Sequence, residues 1–484
     1  MRLGLIGASS LALFYSLGER LLKTWDESIY AEVAKEMLKL HSWLTPHWNL
    51  QPWFEKPPLF MWLTALLYRL FGVSETSSRA LGALCGVGTI WLTFEIGRRL
   101  TDDWGGFTAA IILLTNGTFI FVSRFGAVDV PLTFCFTVGA YGYLRVLEGN
   151  PRWWYAVGAA TGIAIMLKGA GGIPLPLSVC IALLLDHRLE TIRSPQVRNS
   201  VLLASAIALP WHLVMLIVHG RVFLNEYIGF HVLARMKGIE GIASRPASFY
   251  LSEYWFTFVP FAPLALLGLL LHAKGQRKSS IVISIVLIVT VTFSLIGTKL
   301  LAYVMPAVPF ISVLAVLAMR RLMKTVKYAI VGAVVLFLVY WVSERELVAA
   351  NYRGTLAYVG SLNSREEPLM RLLVQARPGD DDPAPAPLII CIDGSRLEKQ
   401  QSVFYGDRPV INTLLTVPTD ERPLENDMAH RYGSLTPLSM AVNSRPSPII
   451  IRADMYPALA YSGRYNFIGI GQSGSLMLGQ ISRR

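Results

Sequence analysis

Thr24-Trp25-Asp26-Glu27-Ser28-Ile29-Tyr30-Ala31-Glu32, followed by Trp53-Phe54-Glu55-Lys56-Pro57-Pro58, stands between two strongly apolar stretches. Carboxylates, a lysine and a proline pair beside a bilayer are costly, and such residues are kept where they serve a site. The apolar stretches on either side decide the fold. They continue along most of the chain.

Of 484 residues, 53% are hydrophobic and 16% charged. Soluble domains carry about 25% charged residues, so this composition is that of a membrane protein. Residues 344–484 hold 15 Lys+Arg and 15 Asp+Glu, so the net +12 lies wholly in residues 1–343. A nucleic-acid binder gathers its cations on a soluble module. Here they sit in short loops between apolar runs, which excludes nucleic acid as the expected partner. Cys85, Cys135 and Cys180 fall in apolar runs and Cys391 stands alone in the tail. Nothing in their spacing points to a disulfide framework or a structural zinc site.

A spanning helix needs about 20 mostly apolar residues. Eleven segments qualify, at roughly 3–20, 76–97, 105–122, 129–147, 153–168, 170–186, 200–219, 251–271, 281–298, 300–318 and 328–343. The first lacks a clear small-x-small cleavage site before Glu19-Arg20 and reads as a retained signal-anchor. Alternate loops are basic, with Arg98-Arg99, Arg145 and Arg152, Arg188 to Arg198, Lys274 to Lys278, and Arg320 to Lys327. Those loops are expected to face the cytoplasm. The N-terminus is then cytoplasmic, and loops 21–75, 123–128 and 220–250 face outward with the tail beyond 343.

Within loop 21–75, Ile29, Val33, Met37 and Leu40 share one helical face, and Glu32, Lys35, Glu36 and Lys39 lie elsewhere. This predicts an amphipathic interfacial helix over 27–40. Pro57-Pro58 opens a second, Leu59 to Phe71, with aromatic residues suited to the headgroup level. The expected architecture is an α-helical polytopic membrane domain, 1–343, and a small extracytoplasmic α/β domain, 344–484. In the tail, 388–392, 448–452 and 465–470 read as strands, and Asp380 to Pro387 as a loop.

Charges at the outer helix ends converge on one leaflet: Asp26, Glu27, Glu55, Lys56, Arg79, Arg124, Asp129, Lys168, His231, Arg235 and Lys299. Singly, each reads as an ion pair or an interfacial snorkel. Together they describe a site where water meets lipid. Lysine and arginine suit a phosphate. A carboxylate beside them suits a sugar hydroxyl, or acts as general base. The chemistry that fits is group transfer from a lipid phosphate. No P-loop is present. Asp102-Asp103, on the other side, reads as a helix cap.

The pattern Asp26-Glu27-x-x-Tyr30-Ala31-Glu32 with Phe54-Glu55-Lys56-Pro57-Pro58-Leu59 resembles the bacterial aminoarabinose transferases acting on lipid A. Their wider relatives include the protein O-mannosyltransferases of the C-type glycosyltransferase superfamily. Arg124 to Asp129-Val130-Pro131-Leu132, Leu167-Lys168-Gly169, Leu209-Pro210-Trp211-His212 and Thr298-Lys299-Leu300 with Tyr303, Pro306 and Pro309 are similar to further family motifs, in order, over residues 20–320. The resemblance implies Asp26 as the central catalytic carboxylate, with Glu27 and Asp129 in support. It implies Lys56 and Arg235 on the donor phosphate. Lys168, Lys299, Arg124, Tyr30 and Tyr303 would line the donor site. Glu55 and His231 match positions that hold a divalent metal in some relatives. The implied donor is a polyprenyl-phosphate-linked sugar, and the implied acceptor a lipid or protein in the bacterial inner membrane or envelope.

Two positions depart from the pattern. Ile29 stands where these transferases usually have arginine, and Ala170 replaces the proline of a Lys-Gly-Pro turn. Both leave the sugar and acceptor open. A transporter or flippase is the rival of another class. It would place charges near the midplane of repeated halves, and this chain shows no repeat. An oligosaccharide polymerase or ligase differs only in donor and acceptor.

Overall fold

The computed structural model describes residues 2–23, 26–237, 245–258, 261–272, 278–325, 388–391, 410–414, 436–437, 446–452, 465–473 and 476–483. The chain divides into two compact units. One comprises 1–19, 42–46 and 53–343; the other 20–41, 47–52 and 344–484.

The larger unit is helical. It contains α1 (Arg2–Phe14), and the second unit α2 (Asp26–Lys39). The larger unit continues with α3 (Leu59–Phe71), α4 (Glu75–Leu100), α5 (Asp103–Leu114), α6 (Gly117–Ser123), α7 (Asp129–Leu147), α8 (Trp154–Lys168), α9 (Pro174–Leu185) and α10 (Pro195–Phe223). A π-helical stretch, Leu224–Ala234, runs on into α11 (Arg235–Lys237). Then come α12 (Phe249–Thr257), α13 (Phe261–His272), α14 (Ser280–Leu295), a 3-10 turn Leu301–Ala307, and α15 (Val308–Thr325).

Local chemistry sets the starts. Ser74 caps α4 by accepting from Ser77 N, and Asp102 caps α5 by accepting from Gly105 N at 2.8 Å. Ser194 caps α10, with Pro195 at its first position. α4 packs on α1, α5 and α7; α8 on α7 and α10; α9 on α14; α15 on α5 and α13. The stretch Leu301–Leu322 is 83% buried, whereas the apolar window within Pro195–Lys237 is 17% buried. The former is bundle core. The latter presents Leu213, Ile217, Val218 and Val222 outward, as a lipid-facing helix does.

Among the described residues four helices are long and apolar enough to cross a membrane, or up to six if each bent pair counts as one span. The eleven segments expected from hydropathy do not all become unbroken spans. Segment 105–122 bends by 71° between α5 and α6. There Asn116 accepts from Phe119 N and starts a new helix at Gly117. Segments 153–168 and 170–186 meet at 97° across the turn Gly169–Gly172. Segment 251–271 divides between α12 and α13. Windowed hydropathy averages over the breaks within 105–122 and 251–271 and cannot register them. The expected span 328–343 and the loop 380–387 lie outside the described residues.

In the second unit, α2 forms where the helix over 27–40 was expected, and its glutamates are buried rather than exposed. Glu27, Glu32 and Glu36 are buried along with Ile29, Tyr30, Val33 and Met37. Its polar face is occupied because local partners satisfy it, as described below. β1 (His47–Trp48) and β2 (Gln51–Pro52) form a short antiparallel hairpin. The same unit holds a six-stranded mixed sheet of β3 (Leu388–Cys391), β4 (Val410–Leu414), β5 (Thr436–Pro437), β6 (Ser447–Arg452), β7 (Tyr465–Ser473) and β8 (Leu476–Arg483). Its order is β5-β4-β3-β6-β8-β7. β3 pairs in parallel with β4 and β6, in register Ile389↔Ile411 and Ile389↔Ile449. β6, β8 and β7 are antiparallel. The three expected strands are β3, β6 and β7. Helices on this sheet would fall in connections outside the described residues.

Gly106 marks the closest approach of α5 to α4. A Cβ there would meet the Phe94 carbonyl and the Arg98 backbone nitrogen, neither of which can rotate away. Overpacking of this kind costs roughly 1–3 kcal/mol. Gly106→Ala is expected to lower the thermal midpoint of the detergent-solubilised protein by several degrees, read by scanning fluorimetry. An unchanged midpoint would show that α5 can shift freely on α4.

Candidate active site

Two buried charges face each other at helix ends in the larger unit. Asp129 is the first residue of α7 and Lys168 the last of α8. A carboxylate at a helix N-terminus and a cation at a C-terminus are each favoured by the helix dipole. Lys168 Nζ donates to Asp129 Oδ1 at 2.5 Å, with both side chains about nine-tenths buried. Gly169 ends α8 at φ +54°, a conformation that requires glycine, and turns the chain directly after the lysine.

Tyr303, in the turn Leu301–Ala307, gathers two cations. Lys168 Nζ lies 4.5 Å from its ring centroid, and Arg235 Nη1 donates to its hydroxyl at 3.2 Å. Phe293 packs on the ring at 5.4 Å. Lysine over the face of a tyrosine is a cation–π contact, strengthened where water is excluded. Asp129, Lys168, Tyr303 and Arg235 thus form one connected group with a net charge of +1.

Arg235 follows the π-helical stretch, which also carries His231. His231 Nε2 lies 3.7 Å from Glu55 Oε2, both buried. Lys56 Nζ donates to the Glu55 carbonyl at 3.3 Å. Glu55 and His231 supply two donors of the four or more that a divalent metal takes. Among the described residues no group of three or more His, Cys, Asp or Glu assembles.

Other sequence-predicted cations have different partners. Arg124 donates to the carbonyls of Ala12, Tyr15 and Ser16 at 2.9, 2.7 and 3.3 Å. Arg79 donates to Leu17 O at 3.0 Å. Ala12 lies in the last turn of α1, and Tyr15, Ser16 and Leu17 in the turn that follows it. Lys299 Nζ donates to Ile296 O at 2.6 Å, at the end of α14.

Two residues outside the candidate set adjoin the group. His212 Nδ1 lies 2.7 Å from Ala208 O. Its Nε2 lies 2.9 Å from Tyr227 Oη. Tyr227 Oη rests against Gly169, where a Cβ would collide with it. An isolated histidine in an apolar helix was the available signal, at the end of Leu209-Pro210-Trp211-His212. Tyr227, one aromatic residue among many, carried none.

Asp26, Glu27 and Tyr30 belong to α2 in the second unit. Asp26 is the first helical residue. Glu27 Oε2 accepts from Lys23 N at 2.7 Å, and Ser28 Oγ donates to Lys23 O. Tyr30 is buried. Ten residues beyond Asp26, Glu36 accepts from Leu50 N through both oxygens, at 3.0 and 3.2 Å. Asn49 and Leu50 have φ of +55° and +61° and close the β1–β2 hairpin. A left-handed leucine costs roughly 1–2 kcal/mol, which the Glu36 contacts offset. Glu32 pairs with Lys35 at 2.7 Å.

The model of the dolichyl-phosphate-mannose-protein mannosyltransferase family matches residues 55–214. An uncharacterised protein of Aquifex aeolicus is 30% identical over 309 residues, covering 62% of this chain and 60% of that one. The undecaprenyl phosphate-alpha-4-amino-4-deoxy-L-arabinose arabinosyl transferase 2 of Pseudomonas fluorescens is 28% identical over 318 residues, covering 63% of this chain and 54% of that one. The chain therefore spans little more than half the length of these relatives. The crystal structure of ArnT from Cupriavidus metallidurans bound to undecaprenyl phosphate superposes with a TM-score of 0.75 at 20% identity, over 99% of this chain and 97% of that one. The fold is thus shared with that ArnT structure, and the chain is similar in sequence to proteins named as aminoarabinose transferases.

Burial, with Glu32 one turn away, pushes the Glu36 carboxyl from 4.5 up to about 8. Between those values the folded state binds more protons than the unfolded. Glu36 therefore lowers stability progressively as pH rises from 4.5 through about 8, and adds no penalty below that window. Glu36→Gln keeps an acceptor for Leu50 N and removes the titration. The fall in thermal midpoint between about pH 5 and about pH 8.5 is expected to be smaller in the variant by a few degrees. Equal slopes would mean that Glu36 is ionised throughout.

Proposed function

We propose that the chain is an integral-membrane glycosyltransferase. It moves a sugar from a polyprenyl-phosphate donor to an acceptor on the outer side of the bacterial inner membrane. The observation that carries this reading is the buried group Asp129, Lys168, Tyr303 and Arg235, one carboxylate and two cations at the ends of apolar helices. Its surplus of positive charge in a lipid setting suits a lipid-linked phosphate. The sequence relationship to proteins named as undecaprenyl-phosphate aminoarabinose transferases supports the same donor class.

In this reading Arg235, Lys168 and Lys56 hold the donor phosphate. An acceptor oxygen attacks the anomeric carbon from the face opposite the phosphate. The bond from anomeric carbon to phosphate oxygen breaks, its electron pair stays on the phosphate, and configuration inverts. Fixed cations stabilise the charge that grows there. The acceptor's proton passes to Asp26, the role implied by the resemblance, and Asp129 holds the sugar while restraining Lys168. Arg124, which the resemblance also places at the donor site, donates to the carbonyls of Ala12, Tyr15 and Ser16. The acceptor class is lipid A, another envelope glycan or a protein, with the N-terminus cytoplasmic and the C-terminal unit extracytoplasmic.

The test is transfer from a synthetic undecaprenyl-phosphate sugar, followed by mass spectrometry of envelope lipids and glycoproteins with and without the gene. Asp26→Asn is expected to abolish transfer while the thermal midpoint stays unchanged. Near-normal turnover in that variant sinks the role given to Asp26. Arg235→Met is expected to raise the donor KM about tenfold, as loss of a charge-assisted contact does. An unchanged KM removes Arg235 from the phosphate site.

A further inference from the structure

The tautomer of His212 can be read from its partners. A carbonyl only accepts, so the ring nitrogen 2.7 Å from Ala208 O is the N–H donor. In the neutral ring Nε2 is then an acceptor, and the hydrogen between it and Tyr227, 2.9 Å away, belongs to the phenol. Tyr227 is further confined by Phe223, stacked at 5.1 Å and 12°, and by Trp211, edge-on at 6.3 Å. Its oxygen presses on Gly169, where no side chain fits.

Those contacts join three elements. His212 belongs to α10. Tyr227 belongs to the π-helical stretch that leads to Arg235. Gly169 is the residue after Lys168. Arg235 and Lys168 are the two cations that meet on Tyr303. The backbone segment bearing each cation is therefore held at the Tyr227 hydroxyl.

We infer that His212 and Tyr227 are a positioning pair that sets the spacing of Lys168 and Arg235, and so governs affinity for a lipid-linked phosphate without touching it. This rests on the proposed donor-phosphate site. The hydrogen bond orients the phenol, the phenol fixes the π-helical stretch against the Lys168–Gly169 turn, and the two cations keep a separation matched to one phosphate. The pair takes no part in bond making, so the expected effect lies in KM and leaves kcat nearly unchanged.

Binding of undecaprenyl phosphate itself to the purified full-length protein is the direct measurement, alongside donor KM and kcat. Tyr227→Phe keeps the ring stack and removes the hydroxyl. It is expected to weaken binding about fivefold, the usual weight of one hydrogen bond, with the thermal midpoint retained. His212→Leu is expected to match it. His212→Gln restores an acceptor for the phenol and is expected to recover most of the affinity. A merely structural ring would not be rescued by glutamine. Wild-type-like binding by both Tyr227→Phe and His212→Leu overturns the inference. So does a His212→Gln variant as weak as His212→Leu. Failure of the wild-type protein to bind undecaprenyl phosphate would instead overturn the phosphate-site reading, and is distinguished by that control.

Discussion

The ion pair between Asp129 and Lys168 is the constraint around which the larger unit is arranged. Two charges removed from water cost several kcal/mol each, and their attraction repays this only with good geometry and further partners. The structure meets both conditions. The pair joins the N-terminus of α7 to the C-terminus of α8, so both dipoles contribute. The Tyr303 ring covers the ammonium group. Breaking one half would leave an uncompensated buried charge, which is why helix ends, a glycine turn and an aromatic ring all converge there.

The positive residues along this bundle separate by what they touch. Arg79 and Arg124 donate to carbonyls at and just beyond the end of α1, and Lys299 to the carbonyl that follows α14. Lys168 and Arg235 instead meet on one tyrosine, where their charge faces side chains. Residue type and topology alone do not distinguish these groups. Hydrogen-bond partners do.

Composition and hydropathy made the helical membrane class legible, and ordered motifs made the resemblance to aminoarabinose transferases legible. Leu59–Phe71 was readable from its proline pair and aromatic spacing, and three strands of the tail from their branched aliphatic runs. The turn at Gly169 was readable as a boundary between two segments, but the break at Asn116 was not, because hydropathy averages over a window and that bend turns on one residue's cap. The burial of α2 was hidden for a different reason. Glu32 and Glu36 read as polar-face residues until Leu50, fourteen positions on, supplies a partner for Glu36. Tyr227 was invisible for the same cause: its meaning comes from Gly169 and His212, remote in sequence.

Gly220 interrupts α10 at φ +51°, and nothing crowds the position where its Cβ would be. The break thus owes nothing to packing. It divides a 43-residue helical run into a lipid-facing shaft and a segment bearing Tyr227, His231 and Arg235. Hydrophobic mismatch with the bilayer is usually absorbed by tilting a whole helix. Here the shaft is tied across Gly220 by the His212–Tyr227 contact, so a tilt of the shaft would carry into the segment that bears Arg235. The fold in this way couples the geometry of the cation group to the thickness of the membrane around it.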